Sequence, residues 1–430
     1  MSLSISNTFK ERDSWTLVIP IATLVIIIVL IACGIVCFMK WTTQKAEHMI
    51  LPESTPLAPL NGEQSSHRTT NETTSLMHSK SIMYQNALVE ESDYITNSLR
   101  QTSIGNMKEI PKNLIEVGNE IGEGNFGKVF IGKLNNMDEK SSSTSAAIKT
   151  IKFHAREKEM NSLLLELRIM SQLKPHLNLV SMLGANTSDL DNEGRMWLLL
   201  EYCRHGDLKT YIMEKKNKIL SGREGHDPIN NRCLITWTYD IAKGMQFLAE
   251  NHIMHGDLAA RNILIDEDPL KLGYPLAKVA DFGLSKKFYD NVKYVKDSRL
   301  FVPWKWMAME YLTKDFFTLT SDVWSFGVLL WEILSFGRNP YGHQGYDELL
   351  EKLENGYRLD CPKEVNQITS WSAKELFKNV SNVCFIAEPL DRASFSQVVD
   401  IIKLQMTSDE IVRYNRRKDV YDSKDKPNSS

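Results

Sequence analysis

His255-Gly-Asp-Leu-Ala-Ala-Arg-Asn262 is the stretch on which the reading of this 430-residue chain turns. Asp257 is a carboxylate able to accept a hydroxyl proton, and Asn262, five positions on, carries an amide oxygen able to ligate Mg²⁺. Asp281-Phe-Gly283 follows, with a second oxygen donor in Asp281 and a glycine suited to a mobile loop. Alone, such a tripeptide is most often a turn. Its position after the first stretch, and after two further elements upstream, makes chance a poor explanation.

The first upstream element is Ile121-Gly-Glu-Gly-Asn-Phe-Gly-Lys-Val129, which contains G-x-G-x-x-G. By itself this fits a hairpin or a dinucleotide loop, but the latter needs a helix opening at the glycines. Here Val129, Phe130 and Ile131 continue as β-formers, so the glycines sit in a strand–turn–strand. Gly122, Gly124 and Gly127 would let backbone amides close over phosphates without Cβ clashes. The second element, Ala146-Ala-Ile-Lys149, ends an apolar strand on a lysine that needs a counter-charge. Glu166 stands among Leu163, Leu164, Leu165 and Leu167 of the next helical pattern. In isolation it reads as a solvent-facing residue. With Lys149 in place, pairing is the better explanation.

Around these motifs the pattern predicts extended segments near 114–134, 146–153, 179–184 and 196–202, with a helix near 157–173 between them. Helices are expected near 207–214, 232–251, 320–336, 346–354, 373–386 and 394–405. A strand-rich beginning and a helix-rich remainder give an α+β domain of two lobes. The composition, 42% hydrophobic and 24% charged, is that of a globular protein, and a net charge of −3 argues against nucleic-acid binding. Cys33, Cys37, Cys203, Cys233, Cys361 and Cys384 show no paired or metal-ligand spacing, so a disulfide framework is not expected.

From Leu17 to Met39 no residue is charged, and fifteen of the 23 are Ile, Leu, Val or Phe. As a helix this run spans about 34 Å, enough for a bilayer core. It exceeds the about 7–15 apolar residues of a signal peptide, and Lys40-Trp41 suits a membrane-interface anchor. Lys10 and Arg12 before it balance Lys40 and Lys45 after it, so charge does not set the orientation. The segmentation is 1–14, a short extracellular piece; 15–39, a transmembrane helix; 40–110, a flexible linker; 111–406, the catalytic domain; and 407–430, a polar tail expected to be frayed.

The ordered motifs resemble the protein kinase superfamily, and specifically the receptor tyrosine kinases, over about 114–406. Ala259-Ala260-Arg261 is similar to the tyrosine-kinase run, where serine/threonine kinases carry a lysine at the position of Ala259. Pro303-Trp-Lys-Trp-Met-Ala-Met-Glu310 resembles the substrate platform of tyrosine kinases, and Ser321-Asp-Val-Trp-Ser-Phe-Gly327 the helix that anchors the catalytic loop through Asp322. Glu310 and Arg392 match a family ion pair. Lys243-Gly-Met-Gln-Phe-Leu248 and Leu183-Gly-Ala185 look most like the vascular and platelet-derived growth-factor receptors, and the short N-terminal piece resembles short nematode receptor tyrosine kinases.

The resemblance implies a bilobal protein-kinase fold, preceded by one transmembrane helix, that moves the γ-phosphoryl of ATP to tyrosine in protein substrates. Asp257, Lys149, Glu166 and Arg261 would be catalytic, and Asn262 and Asp281 would hold Mg²⁺, or Mn²⁺ in its stead. ATP would lie against Ile121, Gly122, Gly124, Gly127, Val129, Ala147 and Leu264. Leu200 would stand as gatekeeper, with the backbone of Glu201 and Cys203 on adenine and Lys149 on the phosphates. Because ATP is cytosolic, the kinase domain faces the cytoplasm and the protein is single-pass in the cell membrane. Tyr294 matches the activation-loop tyrosine. Tyr84 and Tyr94, in the linker, are candidate phosphosites for SH2-type adaptors, and Cys33, Gly34 and Cys37 hint at a homodimer within the lipid bilayer.

Three positions depart from the family. Gly256 replaces the arginine before the catalytic aspartate, so it offers no charge to a phosphate on Tyr294. Met309 replaces a proline, and the stretch from Asn262 to Asp281 is about six residues longer than the family pattern, suggesting an enlarged hairpin tip from Pro269 to Pro275. A rival reading is a membrane-bound scaffold with a dead kinase fold, but no catalytic group is missing. A secreted enzyme is the other rival, with Asn71, Asn186, Asn379 and Asn428 as glycosylation sequons.

Overall fold

Small and apolar residues alternate through Thr144–Thr150, so the period of two buries Ala146 and Ile148 and turns Ala147 and Lys149 to the opposite face. That strand is the centre of the first lobe. The computed structural model describes residues 107–123, 127–135, 143–152, 157–190, 195–223, 226–287, 294–295, 303–314, 316–368 and 371–424. The expected membrane span at 17–39, Gly124, Tyr84 and Tyr94 lie outside these residues, as does the side chain of Tyr294. No helix among the described residues is long and apolar enough to cross a membrane.

The first lobe comprises β1 (Ile115–Glu123), β2 (Lys128–Leu134), β3 (Thr144–Thr150), α1 (Glu157–Gln172), β4 (Met182–Asn186) and β5 (Trp197–Glu201). The strands form one antiparallel sheet in the order β1-β2-β3-β5-β4. Ile110, Ile115, Ile148 and Leu199 make a small core against one face. The helix α1 buries Leu163, Leu164, Leu167 and Met170, the positions its 3.6-residue spacing indicated.

A short connector leads to the second lobe: α2 (Leu208–Ser221), α3 (Arg232–Glu250), β6 (Ile253–Met254), β7 (Ile263–Asp266), β8 (Leu276–Val279), β9 (Lys286–Lys287), β10 (Tyr294–Val295), α4 (Met309–Lys314), β11 (Phe316–Phe317), α5 (Ser321–Leu334), α6 (Tyr346–Glu354), α7 (Ala373–Cys384), α8 (Phe395–Lys403) and α9 (Ser408–Lys424). Asp207 starts α2 by accepting a hydrogen bond from the Thr210 backbone N–H. All fourteen residues of α5 are buried, which identifies it as the central helix of this lobe. β7 and β8 form the hairpin expected around Pro269–Pro275, with Asp266 opposite Leu276. Met309 takes the first position of α4, where a proline is favoured because no backbone donor is needed and its φ is already helical; the helix also starts on methionine.

The tail corrects the sequence reading. Residues 408–424 are not frayed but form α9, which buries Tyr414, Glu410 and Arg417. Arg417 reaches Asp268 at 3.1 Å and the Tyr274 carbonyl at 2.5 Å, and Arg413 lies over the Tyr274 ring at 3.8 Å. The enlarged β7–β8 tip is therefore the surface on which the tail folds. The mostly charged sequence hid this because its few anchoring residues bond to groups distant in sequence.

Cys203, Cys233, Cys361 and Cys384 are free thiols. The Asn186 side chain is buried and donates to the Ile110 carbonyl at 2.9 Å, so this sequon offers no accessible amide in the folded state.

Behind the substrate-platform sequence, Arg392 makes a two-pronged pair with Glu310, both contacts at 2.9 Å, with neither side chain more than 2% exposed. Thr320 O at 2.8 Å and Ile386 O at 3.0 Å accept further Arg392 protons, and Ser321 Oγ donates to Glu310 at 2.5 Å. The pair ties α4 to the start of α5 and to the turn before α8. Arg392→Ala leaves the Glu310 carboxylate buried without its cation and should lower unfolding free energy by about 3–5 kcal/mol. Urea denaturation measures this directly; a change below about 1 kcal/mol, the range of an exposed pair, would show that the lobe does not depend on it.

Candidate active site

Strand register assembles the upper wall. Val129 is opposite Lys149, and Ala147 is opposite Ile131 on one side and Leu200 on the other. Directly opposed side chains share a face. Val129, Ala147, Lys149 and Leu200 therefore stand on one face of the sheet. Below it, Val180, Cys203 and Ala280 form a separate small apolar cluster, with Leu200 and Leu264 packed against it. The connector is pinned there: His205 N donates to Ile265 O at 3.0 Å and Ile265 N to Gly206 O at 2.8 Å. This sets an apolar slot beside the backbone of Glu201 and Cys203.

At the mouth, a Cβ on Gly127 would sit 2.1 Å from the Thr150 carbonyl oxygen, so no side chain fits. At Gly122 the nearest atom to such a Cβ is 4.0 Å away, and Ile121 is exposed. Gly127 is thus required by close backbone approach, whereas Gly122 leaves open space above the slot.

The Lys149 ammonium lies between two carboxylates, 2.7 Å from Glu166 Oε2 and 2.8 Å from Asp281 Oδ1. Burial alone would lower its pKa, but the Asp281 and Glu166 charges outweigh this and hold it raised, so Lys149 is a cation. Glu166 is 1% exposed on α1 and also accepts from Phe282 N at 3.3 Å. One turn earlier on α1, Ser162 Oγ donates to Gly283 O at 2.7 Å. The helix thus grips the Asp-Phe-Gly segment at two points. Phe282 is buried beside the His255 ring, and Asp281 holds a left-handed backbone, φ +64°.

The lower wall is the 255–262 loop. Asp322, at the start of α5, accepts from His255 N at 2.6 Å and Gly256 N at 3.0 Å. His255 is buried, and burial lowers its pKa to about 4, so it is neutral. Its Nε2 donates to Ala280 O at 3.0 Å and its Nδ1 accepts from Asp257 N at 3.2 Å. Asn262 Nδ2 donates to both the carbonyl and the Oδ2 of Asp257 at 2.8 Å, which leaves the amide oxygen for a ligand. Arg261 Nη2 bonds Asp257 Oδ1, and its guanidinium lies over the Trp306 ring at 4.6 Å. Burial pushes the Asp257 carboxyl up to about 6, against the opposing pull of Arg261 and Asn262.

Glu332, which the sequence reading passed over, is buried in α5 and accepts from Ala260 N at 3.0 Å and Trp306 Nε1 at 2.8 Å. It joins the 255–262 loop to the Pro303–Trp306 segment. A glutamate within the apolar run Val328–Leu334 was the available signal. Asp281 and the Asn262 amide oxygen form a hard oxygen donor pair that suits Mg²⁺, which takes one or two protein ligands and completes its shell with water and phosphate.

This arrangement of cleft, paired lysine and catalytic loop is that of a kinase domain, and residues 115–402 match the family described as "Protein tyrosine and serine/threonine kinase". The chain belongs to that family. Its kinase domain is of the receptor tyrosine kinase type: it is 33% identical over 311 residues to the tyrosine kinase receptor Cad96Ca of Drosophila melanogaster, covering 72% of this chain and 38% of that protein. It is 33% identical to fibroblast growth factor receptor 1 of Pleurodeles waltl, covering 70% and 36%, and 31% identical to vascular endothelial growth factor receptor 3 of Danio rerio, covering 68% and 23%. The chain spans well under half the length of these relatives.

Gly256 has a backbone role beyond the missing charge inferred from sequence. Its φ is +77°, and a Cβ would lie 2.9 Å from the Leu284 carbonyl oxygen. An arginine there would have to overcome that strain before meeting any phosphate. Gly256→Ala should lower stability by about 1–2 kcal/mol, the cost of a left-handed non-glycine residue. Thermal unfolding checks it; an unchanged midpoint would show that the loop accommodates a side chain freely.

Proposed function

We propose that this chain is a single-pass membrane tyrosine kinase, with its kinase domain cytoplasmic, that transfers the γ-phosphoryl of ATP to tyrosine hydroxyls in proteins, itself included. The observation that carries the proposal is the simultaneous presence of the Lys149–Glu166–Asp281 cluster and the Asp257–Arg261–Asn262 loop in one cleft. The first supplies a cation for phosphate and the second a carboxylate for the attacking hydroxyl, which supports the reading.

In this reading adenine enters the slot between Val129, Ala147 and Leu264 and pairs with the backbone of Glu201 and Cys203. Lys149 binds the phosphates. Asp281 and Asn262 hold Mg²⁺, which neutralises phosphate charge when bound. Asp257 accepts a hydrogen bond from the attacking hydroxyl and takes its proton. Arg261, held by Trp306, orients the Asp257 carboxylate. Tyr84, Tyr94 and Tyr294 are the proposed autophosphorylation sites, the first two as docking points for SH2-type adaptors. Residues 17–39 are the proposed anchor.

Phosphorylation of poly(Glu,Tyr) against Ser/Thr peptides, followed by phosphosite mapping, tests the reading. Lys149→Met and Asp257→Asn should each reduce tyrosine phosphorylation more than about tenfold, at least ~1.4 kcal/mol of barrier. Asp257 works as a carboxylate, so protonation below its raised pKa of about 6 should remove activity. We expect kcat/KM to fall about tenfold per pH unit below that point and to be level above it. Retention of more than a tenth of the turnover by either variant would refute the assigned roles.

A further inference from the structure

A serine inside a helix commonly turns its hydroxyl back onto its own helix, and α1 shows this at Ser171, whose Oγ donates to Arg168 O at 2.9 Å. Ser162 does not. Its Oγ leaves the helix and donates at 2.7 Å to Gly283 O, 121 residues further along the chain. Serine is also a poorer helix former than alanine, so at this half-buried interior position it does nothing for α1 itself. Glu166 stands four residues later, on the same face of the helix. It bonds Lys149 at 2.7 Å and accepts from Phe282 N at 3.3 Å. Phe282 and Gly283, neighbours in the chain, are thus held by two side chains of one helix face.

Asp281 lies between two holds. Before it, Ala280 is fixed from the second lobe: its N donates to Asn262 O at 2.9 Å, and its O accepts from His255 Nε2 at 3.0 Å. After it, the hold comes from α1 through Phe282 and Gly283. Gly283 N in turn donates to Asp281 Oδ1 at 3.2 Å, and Lys149 Nζ lies 2.8 Å from the same oxygen. Both bonds fall on Oδ1, which leaves Oδ2 for a ligand on a side chain 38% exposed. We propose that Ser162 is a positioning residue for metal binding: by fixing Gly283 it aims the Asp281 carboxylate and sets its place relative to Asn262. The proposal rests on the kinase reading above and adds to it a residue outside the motifs. Mg²⁺ demands near-ideal octahedral geometry, so a carboxylate free to swing binds it more weakly than one held still. The Ser162 hydroxyl is neutral, so it restrains the segment without drawing Lys149 away from a phosphate.

The test uses the full chain in detergent as wild type, Ser162→Ala and Ser162→Thr. Alanine removes the hydroxyl and favours the helix, whereas threonine keeps the hydroxyl. Mn²⁺ binding is measured by electron paramagnetic resonance with a non-hydrolysable ATP analogue present. Amide exchange at 281–285 is followed without metal or nucleotide, and the rate on poly(Glu,Tyr) is measured against Mg²⁺ concentration. We expect Ser162→Ala to bind Mn²⁺ about five- to tenfold more weakly and to exchange faster at 281–285 by about the same factor, the effect of one lost hydrogen bond. It should need correspondingly more Mg²⁺ for half its maximal rate while reaching a similar maximum. Ser162→Thr should stay within about twofold of wild type on all three measures, since its donor is kept. Mn²⁺ binding by Ser162→Ala equal to that of wild type would overturn the proposal, whatever its thermal midpoint. A loss that threonine does not restore, or weaker Mn²⁺ binding with unchanged exchange, would overturn it too. Failure of the wild-type protein to bind Mn²⁺ with the analogue would overturn instead the metal reading of Asp281 and Asn262 on which the proposal rests.

Discussion

The ammonium of Lys149 cannot be left alone once the two lobes close over it. A charge withdrawn from water needs opposite charge in contact, and here it comes from two directions: Glu166 on α1 and Asp281 on the segment after β8. One cation therefore fixes the position of a helix relative to the sheet and of a loop from the opposite lobe relative to both. The grip of Ser162 on Gly283 and the burial of Phe282 follow from that constraint, since they close the same gap from the sides.

A second buried charge plays the matching role below. Asp322 is unpaired by any cation among the described contacts and is satisfied by backbone donors, with burial pushing its pKa up to about 7. It fixes His255 and Gly256, and through the neutral His255 ring it fixes Asp257 N and Ala280 O. The reacting carboxylate is held at the end of a chain of hydrogen bonds that begins in the most buried helix of the lobe. Glu332 repeats the arrangement ten residues on, from the same helix to Ala260 and Trp306. The catalytic loop is positioned by α5 more than by its own sequence.

Much of this was legible in the chain. The motif order fixed the two-lobed kinase architecture, and each of Lys149, Glu166, Asp257, Arg261, Asn262 and Asp281 now lies in the one cleft, because short motifs encode local backbone geometry directly. Helix limits at α3, α6 and α7 agree with their apolar periods to within two residues. What the sequence concealed was long-range and polar. Nothing near Glu332 says that its partners lie 72 and 26 residues away. Nothing in Arg413-Tyr-Asn-Arg-Arg417 says that a β-hairpin tip awaits it. Charged residues on a helix are read as solvent-facing by default, and that default failed at both places. The glycine at 256 was read for its absent charge, when its positive φ was the feature a sequence does not display.

The docked α9 also determines where this catalytic domain ends as a piece of matter. A fragment stopped at residue 406, where the apolar pattern fades, would lose Arg417, the cation that faces Asp240 and Asp268. Asp240 is already pushed up to about 7 by burial, with Arg417 the largest opposing pull. With Asp240 still buried, loss of that pull would raise its folded pKa further above the unfolded value, and the folded fragment would hold its proton over a wider range. A carboxyl that binds its proton more tightly when folded costs stability as pH rises. This group would therefore cost the truncated enzyme stability progressively as pH rises from the ordinary carboxylate range toward neutrality, whereas the catalytic aspartate works only above about pH 6. Stability and turnover would pull in opposite directions along the pH axis, and comparing the two pH profiles in the fragment and the full chain would show whether they do.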